Sequence, residues 1–511
     1  MSGSLGSALS IATGGVANID SQLALVSQNI ANASTPGYSA EVGNQQALTV
    51  DGIGMGVRTL ASTRITDAAL QAQTQVQAAT VSGLTTRQTA LQALDSVQGT
   101  PGAGTDLGSL VGDLSNQFST LLNDPSNQTA QSAVVGAATT LANGINALSD
   151  AYTAQRNTAQ TNLIAEVASA NQALGQIGAL SNRIMNLKAE GQSTADLENQ
   201  RDAAVNTLSG LLNVKTMASS NGNLLVLTPS GLSLPTDATT GPFGIANANA
   251  APGASYNTGT LPGILLNGQD VTSQVQGGQL GANITLRDTV LPTYQGELDE
   301  FSATLANRFS AQGLNLFTNA AGLVPSASAP PVQSNYVGFA GTIQVNPAVV
   351  ATPSLVRDGT QAVAGSPTGA SAFSPNPAGG PAGFSTLIVR ILNFAMGATA
   401  QNGVPQAAPN LAGLGPAGNL SAPFGTPQAL GDFAGSIVAS QAQDSAIVTS
   451  NLQTETAVQT SLTAKLSSET GVNMDHEMGA VVALQNAYGI NARILTAAQS
   501  MWTQLLAAVP N

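Results

Sequence analysis

The chain has 511 residues, more than one ordinary domain needs, with 42% hydrophobic but only 8% charged residues and a formal net charge of −13; several domains are expected. The acidic balance, with 14 Lys and Arg spread along the chain and no basic patch, excludes a nucleic-acid partner, and the lack of cysteine excludes disulfides, zinc–thiolate sites and thiol nucleophiles. No run of about 18 apolar residues is present, so no membrane insertion is expected, and the start of the chain has neither the basic nor the apolar region of a cleaved secretory signal.

The first element is a helix. Leu5, Leu9, Ala12, Val16, Ile19, Leu23, Val26 and Ile30 follow one another at intervals of four and three. That is a heptad seam, which seeks a partner helix rather than a broad core. Ala31 to Tyr38 stop it. Pro36 drives Thr35 out of helical space, so the helix ends near Ala33. Pro36-Gly37 predicts a type II turn with Gly37 at positive φ. Tyr38 is an anchor that buries its ring and bonds through its hydroxyl.

Residues 41–61 read as turn-rich β structure. The glycines around Asp51-Gly52-Ile53-Gly54 lack the spacing and flanking elements of a dinucleotide-binding loop. Helical patterns cover 66–97, 107–122 and 128–190, the last with candidate interruptions at Gly136 and Gly144, and then 194–212. The period changes to two at Leu224–Leu227 and Gly231–Leu234, a hairpin. Short strands are expected at 264–266 and 284–286, and 286–312 is helical again. Glu297, Asp299 and Glu300 fall on that helix, where a solvated face is expected. Residues 313–426 are rich in Pro and Gly and nearly uncharged; strand-like pieces at 336–339 and 341–345 and a helical stretch at 386–396 read as an outer β and loop insertion. A long helix over 427–468, with Val448, Leu452, Leu462 and Leu466 in its seam, stops at Gly471. Asn473 then caps a last helix with Asp475 and Glu477 in its first turn.

That last helix repeats the heptad spacing: Met474, Met478, Val481, Gln485, Tyr488, Ala492, Leu495, Gln499, Trp502 and Leu506. The simplest partner for each terminal seam is the other, although each end packing separately on a globular core stays open. The predicted class is mainly α with β-rich outer parts, α+β and multidomain. The paired ends (1–40 and 470–511) form an α-helical coiled coil. Long helical rods come next (41–312 and 427–469, with β segments at about 41–61 and 214–286). The β and loop insertion (313–426) lies outermost. Isolated helices are marginal in water, so the ends are expected to order only among like chains. The single histidine, His476, sits among acids in a first helical turn and reads as solvated. No nucleophile, metal or phosphate motif occurs, so neither an enzyme nor a cofactor is expected.

The stretch Asn29-Ile30-Ala31-Asn32-Ala33-Ser34-Thr35-Pro36-Gly37-Tyr38-Ser39 resembles the N-terminal signature of bacterial flagellar axial proteins, the rod, hook and hook-associated proteins. Asn29, Asn32, Pro36, Gly37 and Tyr38 carry that likeness. Gly471 to Met478, with Gln485, Tyr488, Ala492 and Arg493, is similar to the other end of the same families. Asp196-Leu197-Glu198-Asn199-Gln200-Arg201-Asp202, the hairpin after it, and Leu286 to Pro292 with Leu298-Asp299-Glu300 resemble the hook-associated protein 1 type. One departure is Ala40, where relatives commonly carry Arg. The resemblance implies a structural subunit of the hook–filament junction, outside the cell, exported without a cleaved signal. It implies a ring of like subunits, hook protein and hook-associated protein 3 as neighbours, a cytosolic export chaperone on the C-terminal helix, and passage through the flagellar type III export apparatus. Another axial subunit (hook-associated protein 3, hook or rod protein) and a secreted adhesin-like binding protein are the alternatives.

Overall fold

A computed structural model describes residues 2–50, 53–100, 102–237, 241–326 and 332–507. Asp51, Gly52 and most of the Ser326–Pro331 tract lie outside the described residues, as do the side chains of Leu5 and Leu506.

The chain opens with helix α1 (Ser2–Asn32) and a long antiparallel hairpin, β1 (Glu41–Val50) and β2 (Ile53–Arg64). Four helices follow: α2 (Ala68–Gln98), α3 (Leu107–Asn123), α4 (Gln128–Ala189) and α5 (Ala195–Leu211). Asp67, Asp106 and Asn127 cap α2, α3 and α4 with side-chain oxygens, satisfying backbone N–H groups that the first turn leaves free. Helix α4 runs unbroken through Gly136 and Gly144. At Gly144 a Cβ would lie 2.7 Å from Leu110 Cδ1, so this glycine lets α3 approach rather than interrupting α4. At about 1.5 Å per residue α4 is roughly 90 Å long, and it is the spine of two cores.

The second half of α4 carries the smaller core. Leu163, Val167, Leu174 and Ile177 pack with Val205 and Leu208 of α5 and with two three-stranded sheets. One sheet is β3 (Lys215–Ala218), β4 (Leu224–Leu227) and β5 (Ser233–Leu234); the other is β6 (Phe243–Gly244), β7 (Leu265–Leu266) and β8 (Gln269–Asp270). The expected strand at 284–286 is helical instead: α6 (Gly278–Thr285) runs through a π turn (Leu286–Val290) into α7 (Leu291–Ala311). Ile284-Thr285-Leu286 is too short to fix either period, and continuity with α7 decides the outcome. In the π turn Arg287, fully buried, chelates Asp288 at 2.8 and 2.7 Å. Arg156 of α4 donates to the carbonyls of Arg287, Ala251 and Ala254, which ties the loop before β7 to the spine.

The first half of α4 carries the larger core, with α3, α7 and the aromatic contacts Phe118–Phe309, Phe309–Phe317 and Phe301–Phe433. Residues 313–426 enter this core. They comprise β9 (Phe317–Thr318), β10 (Gln344–Val345), α8 (Pro347–Ala351), α9 (Leu355–Asp358) and α10 (Thr386–Arg390) with a π turn after it. The hairpin pieces β11 (Thr399–Gln401), β12 (Val404–Pro405), β13 (Ala412–Leu414) and β14 (Leu420–Ser421) follow. Phe317, Ile343, Val349, Val356, Leu387, Ile388 and Ile391 are buried in the same cluster as α3, α4 and α7. The segment is therefore not a layer apart with a core of its own. Of the two expected strand pieces, 341–345 holds β10, whereas 336–339 runs as turn into a 3₁₀ turn at Phe339–Gly341.

The chain returns through α11 (Leu430–Thr470) and ends in α12 (Met474–Ala507). Leu430, Phe433, Ile437 and Val448 of α11 are buried, whereas beyond Val448 no seam residue is fully buried until Thr470. Asn473 caps α12, its Oδ1 accepting from the N–H of His476 at 3.1 Å. The whole is mainly helical with small antiparallel sheets.

Candidate functional site

The turn expected after α1 is present. Thr35 carbonyl accepts from Tyr38 N–H at 3.2 Å across Pro36-Gly37, with Gly37 at φ 78°. A Cβ at Gly37 would press on Asn206 Nδ2 at 3.1 Å, so glycine serves both the φ and the approach to α5. Asn32 holds the end of α1 locally, donating to Gln28 carbonyl and accepting from Thr35 Oγ1.

Asn29 is the centre of what this turn builds. It is 1% exposed. Its Oδ1 accepts from the Glu41 N–H at 3.0 Å and the Tyr38 hydroxyl at 3.1 Å. Its Nδ2 donates to Glu41 carbonyl at 2.9 Å and to Glu477 Oε1 at 3.1 Å. One amide thus joins α1, the turn, β1 and the first turn of α12. Ala40 N–H donates to Thr470 carbonyl at 2.8 Å and so adds the end of α11. At this position the backbone makes the contact.

A second knot fixes this group to the bundle. Asn199 of α5 reads both backbone groups of Ser39, accepting from its N–H at 3.2 Å and donating to its carbonyl at 3.1 Å. Arg64, at the end of β2, binds Asn199 at 3.0 Å, Asp202 at 2.7 Å and Glu198 at 3.1 Å. The acids sit in the first turns of α5, where the helix dipole also favours them. Burial, reinforced by the Asp196 charge and opposed by Arg64, pushes the Glu41 carboxyl above its ordinary range. Burial likewise raises the Tyr38 hydroxyl, with Glu41, Asp196 and Glu477 adding to it. Tyr38 is therefore a neutral donor to Asn29. Arg64→Met removes three charge-assisted bonds from a partly buried site. The expected loss is about 2 kcal/mol, read as a lowered denaturation midpoint. Lys at this position would restore only part of it, since it lacks the guanidinium fork.

The terminal helices pack on each other. On α1 the expected seam faces inward: Ala12, Ile19 and Val26 are buried, and Leu9, Val16, Leu23 and Ile30 are partly buried. On α12 the face turned inward is displaced. Glu477 and Ala498 are buried; Leu484 and Asn491 are partly buried, as are Val481, Ala492 and Leu495 of the expected seam, whereas Met474, Met478, Tyr488 and Trp502 are exposed. Gly15 accounts for the rotation. A Cβ there would lie 3.3 Å from Asn491 Oδ1, so the flat strip of α1 receives the small and polar row of α12 and turns the bulky row away. Val482, Ile490, Ile494 and Met501 are also more than half or nearly half exposed, so α12 carries a broad apolar outer face. The hairpin covers the rest of α1: Asn18 bonds Gln45 and Thr59 across it.

Sequence reasoning located Asn29, Gly37, Tyr38 and the 196–202 stretch, but not Arg64 or Glu41, nor Glu477 as a partner of Asn29. A carboxylate 448 positions from its partner leaves no spacing to read.

A subunit whose two chain ends form one layer, clasped to a long helical bundle, is the class this fold and site define. Residues 91–322, which hold α3 to α7 and most of both cores, match the family model of the flagellar hook-associated protein FlgK helical domain. Over that segment the chain is similar to flagellar hook-associated proteins of the FlgK type. It is 24% identical over 222 residues to flagellar hook-associated protein 1 of Bacillus subtilis (strain 168), a match covering 41% of this chain and 43% of that protein. The flagellar hook junction protein FlgK from Burkholderia pseudomallei matches with 24% identity and a TM-score of 0.40, over 51% of this chain and 46% of that one. The chain thus spans less than half the length of either relative.

Proposed function

We propose that this protein is a structural subunit of the bacterial flagellum, forming the junction ring between hook and filament. The observation that carries this reading is the clasp around Asn29 together with the apolar outer face of α12, on a chain whose helical domain is similar to that of FlgK-type proteins. In the assembled ring α1 and α12 supercoil as a coiled coil and form the innermost tube, with the exposed residues of α12 covered by neighbouring copies. The rods around α4 stand outside it and pass torque between a bending hook and a stiff filament. Hook protein and hook-associated protein 3 are the neighbours on either side. Before export the C-terminal helix is held by a cytosolic chaperone, and the chain leaves through the flagellar type III apparatus without a cleaved signal. The role is mechanical, and no catalytic step is assigned.

A lone chain buries only one side of each terminal helix, so contacts with other copies supply the rest of their stability. Hydrogen exchange on purified monomer is expected to find weak protection over 5–33 and 474–506, rising on assembly. Strong protection in the monomer contradicts the reading. In a deletion strain, electron microscopy is expected to find hooks without filaments, with filament protein lost to the medium; intact filaments rule out the junction role.

A further inference from the structure

The two cores meet at one level of the fold. On α4 the last residue buried in the larger core is Ala159, and the first in the smaller core is Leu163. The returning chain crosses the same boundary between Leu280 of α6 and Leu286, the first residue of the π turn. The π turn packs on α4 there. What fills this level is polar and buried: Arg156, Gln160 and Arg287 are 1%, 1% and 0% exposed. Together with Asn157 they grip one stretch, residues 245–263, which runs between β6 and β7 without helix or strand. Arg156 donates to the carbonyls of Ala251 at 2.9 Å and Ala254 at 2.7 Å, and Arg287 to that of Pro262 at 3.0 Å. Gln160 donates to Ala246 carbonyl at 2.9 Å, and Asn157 Oδ1 accepts from Ala250 N–H at 2.9 Å. The group is also closed on itself, since Arg156 donates to Arg287 carbonyl at 3.1 Å and Arg287 to Gln160 Oε1. Asp288 balances the charge of Arg287. Arg156 rests on three carbonyls, which suits a guanidinium with its donors in a fixed fork.

The stretch reaches both cores. Its roots lie in the smaller one, where Phe243, Ile264 and Leu266 are buried. Its middle turns to the larger one. A Cβ on Gly338 would lie 3.4 Å from Pro252 Cβ, so Pro252 sits close against this glycine. Gly338 precedes Phe339 and Ala340, both buried in the larger core. Its N–H donates at 2.8 Å to Asp299 of α7, an acid expected on a solvated face and in fact 1% exposed.

We propose that residues 245–263 are a strap that sets the angle between the two cores, with Arg156 and Arg287 as its pins. Apolar contacts are non-directional and tolerate sliding, and a helix as long as α4 bends along its length. Hydrogen bonds hold an angle, because they weaken steeply when bent. At the boundary the strap joins α4 and the π turn by such bonds and touches the larger core at Gly338. Helix α4 therefore cannot flex at this level without breaking several bonds at once. The inference concerns the single chain and goes beyond the junction role, and neither depends on the other.

The chain has no cysteine, so an introduced pair takes spin labels without competition. Asp113→Cys on α3 and Thr207→Cys on α5 are exposed positions on opposite sides of the boundary, whereas Asn182→Cys with Thr207→Cys lies wholly on the smaller-core side. The test is the distance distribution of each pair, read by electron double resonance on the full chain. With the strap intact the 113–207 distribution is expected to be single and narrow; a broad one overturns the strap. Arg156→Met and Arg287→Met are each expected to broaden it about twofold or more while 182–207 stays as it was. Arg156→Lys is expected to fall between, since an ammonium lacks the fork. A lowered melting temperature with an unchanged 113–207 width means that the arginines only add stability, and it overturns the inference. So does broadening shared equally by 182–207, which is loosening of the smaller core itself. Gln160→Leu cuts the tie to Ala246 and keeps both arginines. If the Met variants fail to fold, its 113–207 width decides in the same way.

Discussion

Replacing Asn29 by Leu is expected to weaken the clasp by about 4 kcal/mol or more, since each buried polar group left unpaired costs about 1–3 kcal/mol. The heavy-atom count is kept, so no cavity opens and the loss comes mainly from hydrogen bonding, with crowding by the larger methyl groups added to it. Four groups lose their partner together: the N–H and carbonyl of Glu41, the Tyr38 hydroxyl and Glu477 Oε1. Glu41 already has one buried oxygen without a partner, so little slack remains at this point. The damage is local. Exchange protection is expected to vanish at the Glu41 amide, which donates to Asn29, while the Ser39 amide, held by Asn199, and 134–177 in α4 keep theirs. Asn29→Asp separates the terms further. It keeps the acceptor, removes both donors and places a third carboxylate beside Glu41 and Glu477. Its clasp is expected to recover partly on acidification, beginning above the ordinary carboxylate range because burial and the neighbouring acids favour the protonated form; the Leu variant has no such recovery. Unchanged protection of the Glu41 amide in both variants would mean that Asn29 is a bystander.

The sequence carried the periodic elements well. The long helices and the Pro36-Gly37 turn follow from local rules, and most of their ends fall within about three residues of expectation, the exception being the helical run that begins at Gly278 rather than 286. What it carried poorly was anything set by a distant partner. Acids at 297, 299 and 300 satisfy the pattern of a solvated helix face. Their burial depends on backbone N–H groups 39 to 110 positions further along, in loops whose Gly and Pro content signals only irregular backbone. The same holds for 313–426. Its few apolar residues show no period, yet Phe317, Val349, Leu387 and Ile391 fill the space between α3, α4 and α7. On α12 the heptad count found bulky rows and took bulk to mean the inner side. Gly15 on the opposite helix reverses that, because a close crossing admits small residues and excludes Tyr488 and Trp502. In the clasp, the residues of the turn were legible because proline and glycine act on their own neighbours. Glu41, Arg64 and Glu477 were not, because their meaning lies across the fold.

That rotation separates two kinds of residue on α12, and a pair of substitutions exploits it. Ile490 and Ile494 are 60% and 46% exposed and lie on the outer face, away from α1. In the single chain, Ile490→Asp with Ile494→Asp is expected to shift stability by no more than about 0.5 kcal/mol per site, the usual range for exposed positions. In the ring these side chains are to be covered, and each forfeits roughly 1.5–3 kcal/mol of apolar burial, before the added penalty of enclosing a charge. Together that is about 3–6 kcal/mol per contact, or roughly a hundred- to ten-thousandfold in association. Sedimentation of the purified variant should find a folded monomer with an unchanged melting profile, and cells carrying it should swim no better than the deletion strain. Leu484→Asp is the contrasting case, since Leu484 faces α1. It should damage the helix pair within one chain as well as the assembly. If the outer-face pair assembles like the wild type while Leu484→Asp does not, the surface between copies is not α12. The covering of its exposed isoleucines must then come from elsewhere in the same chain.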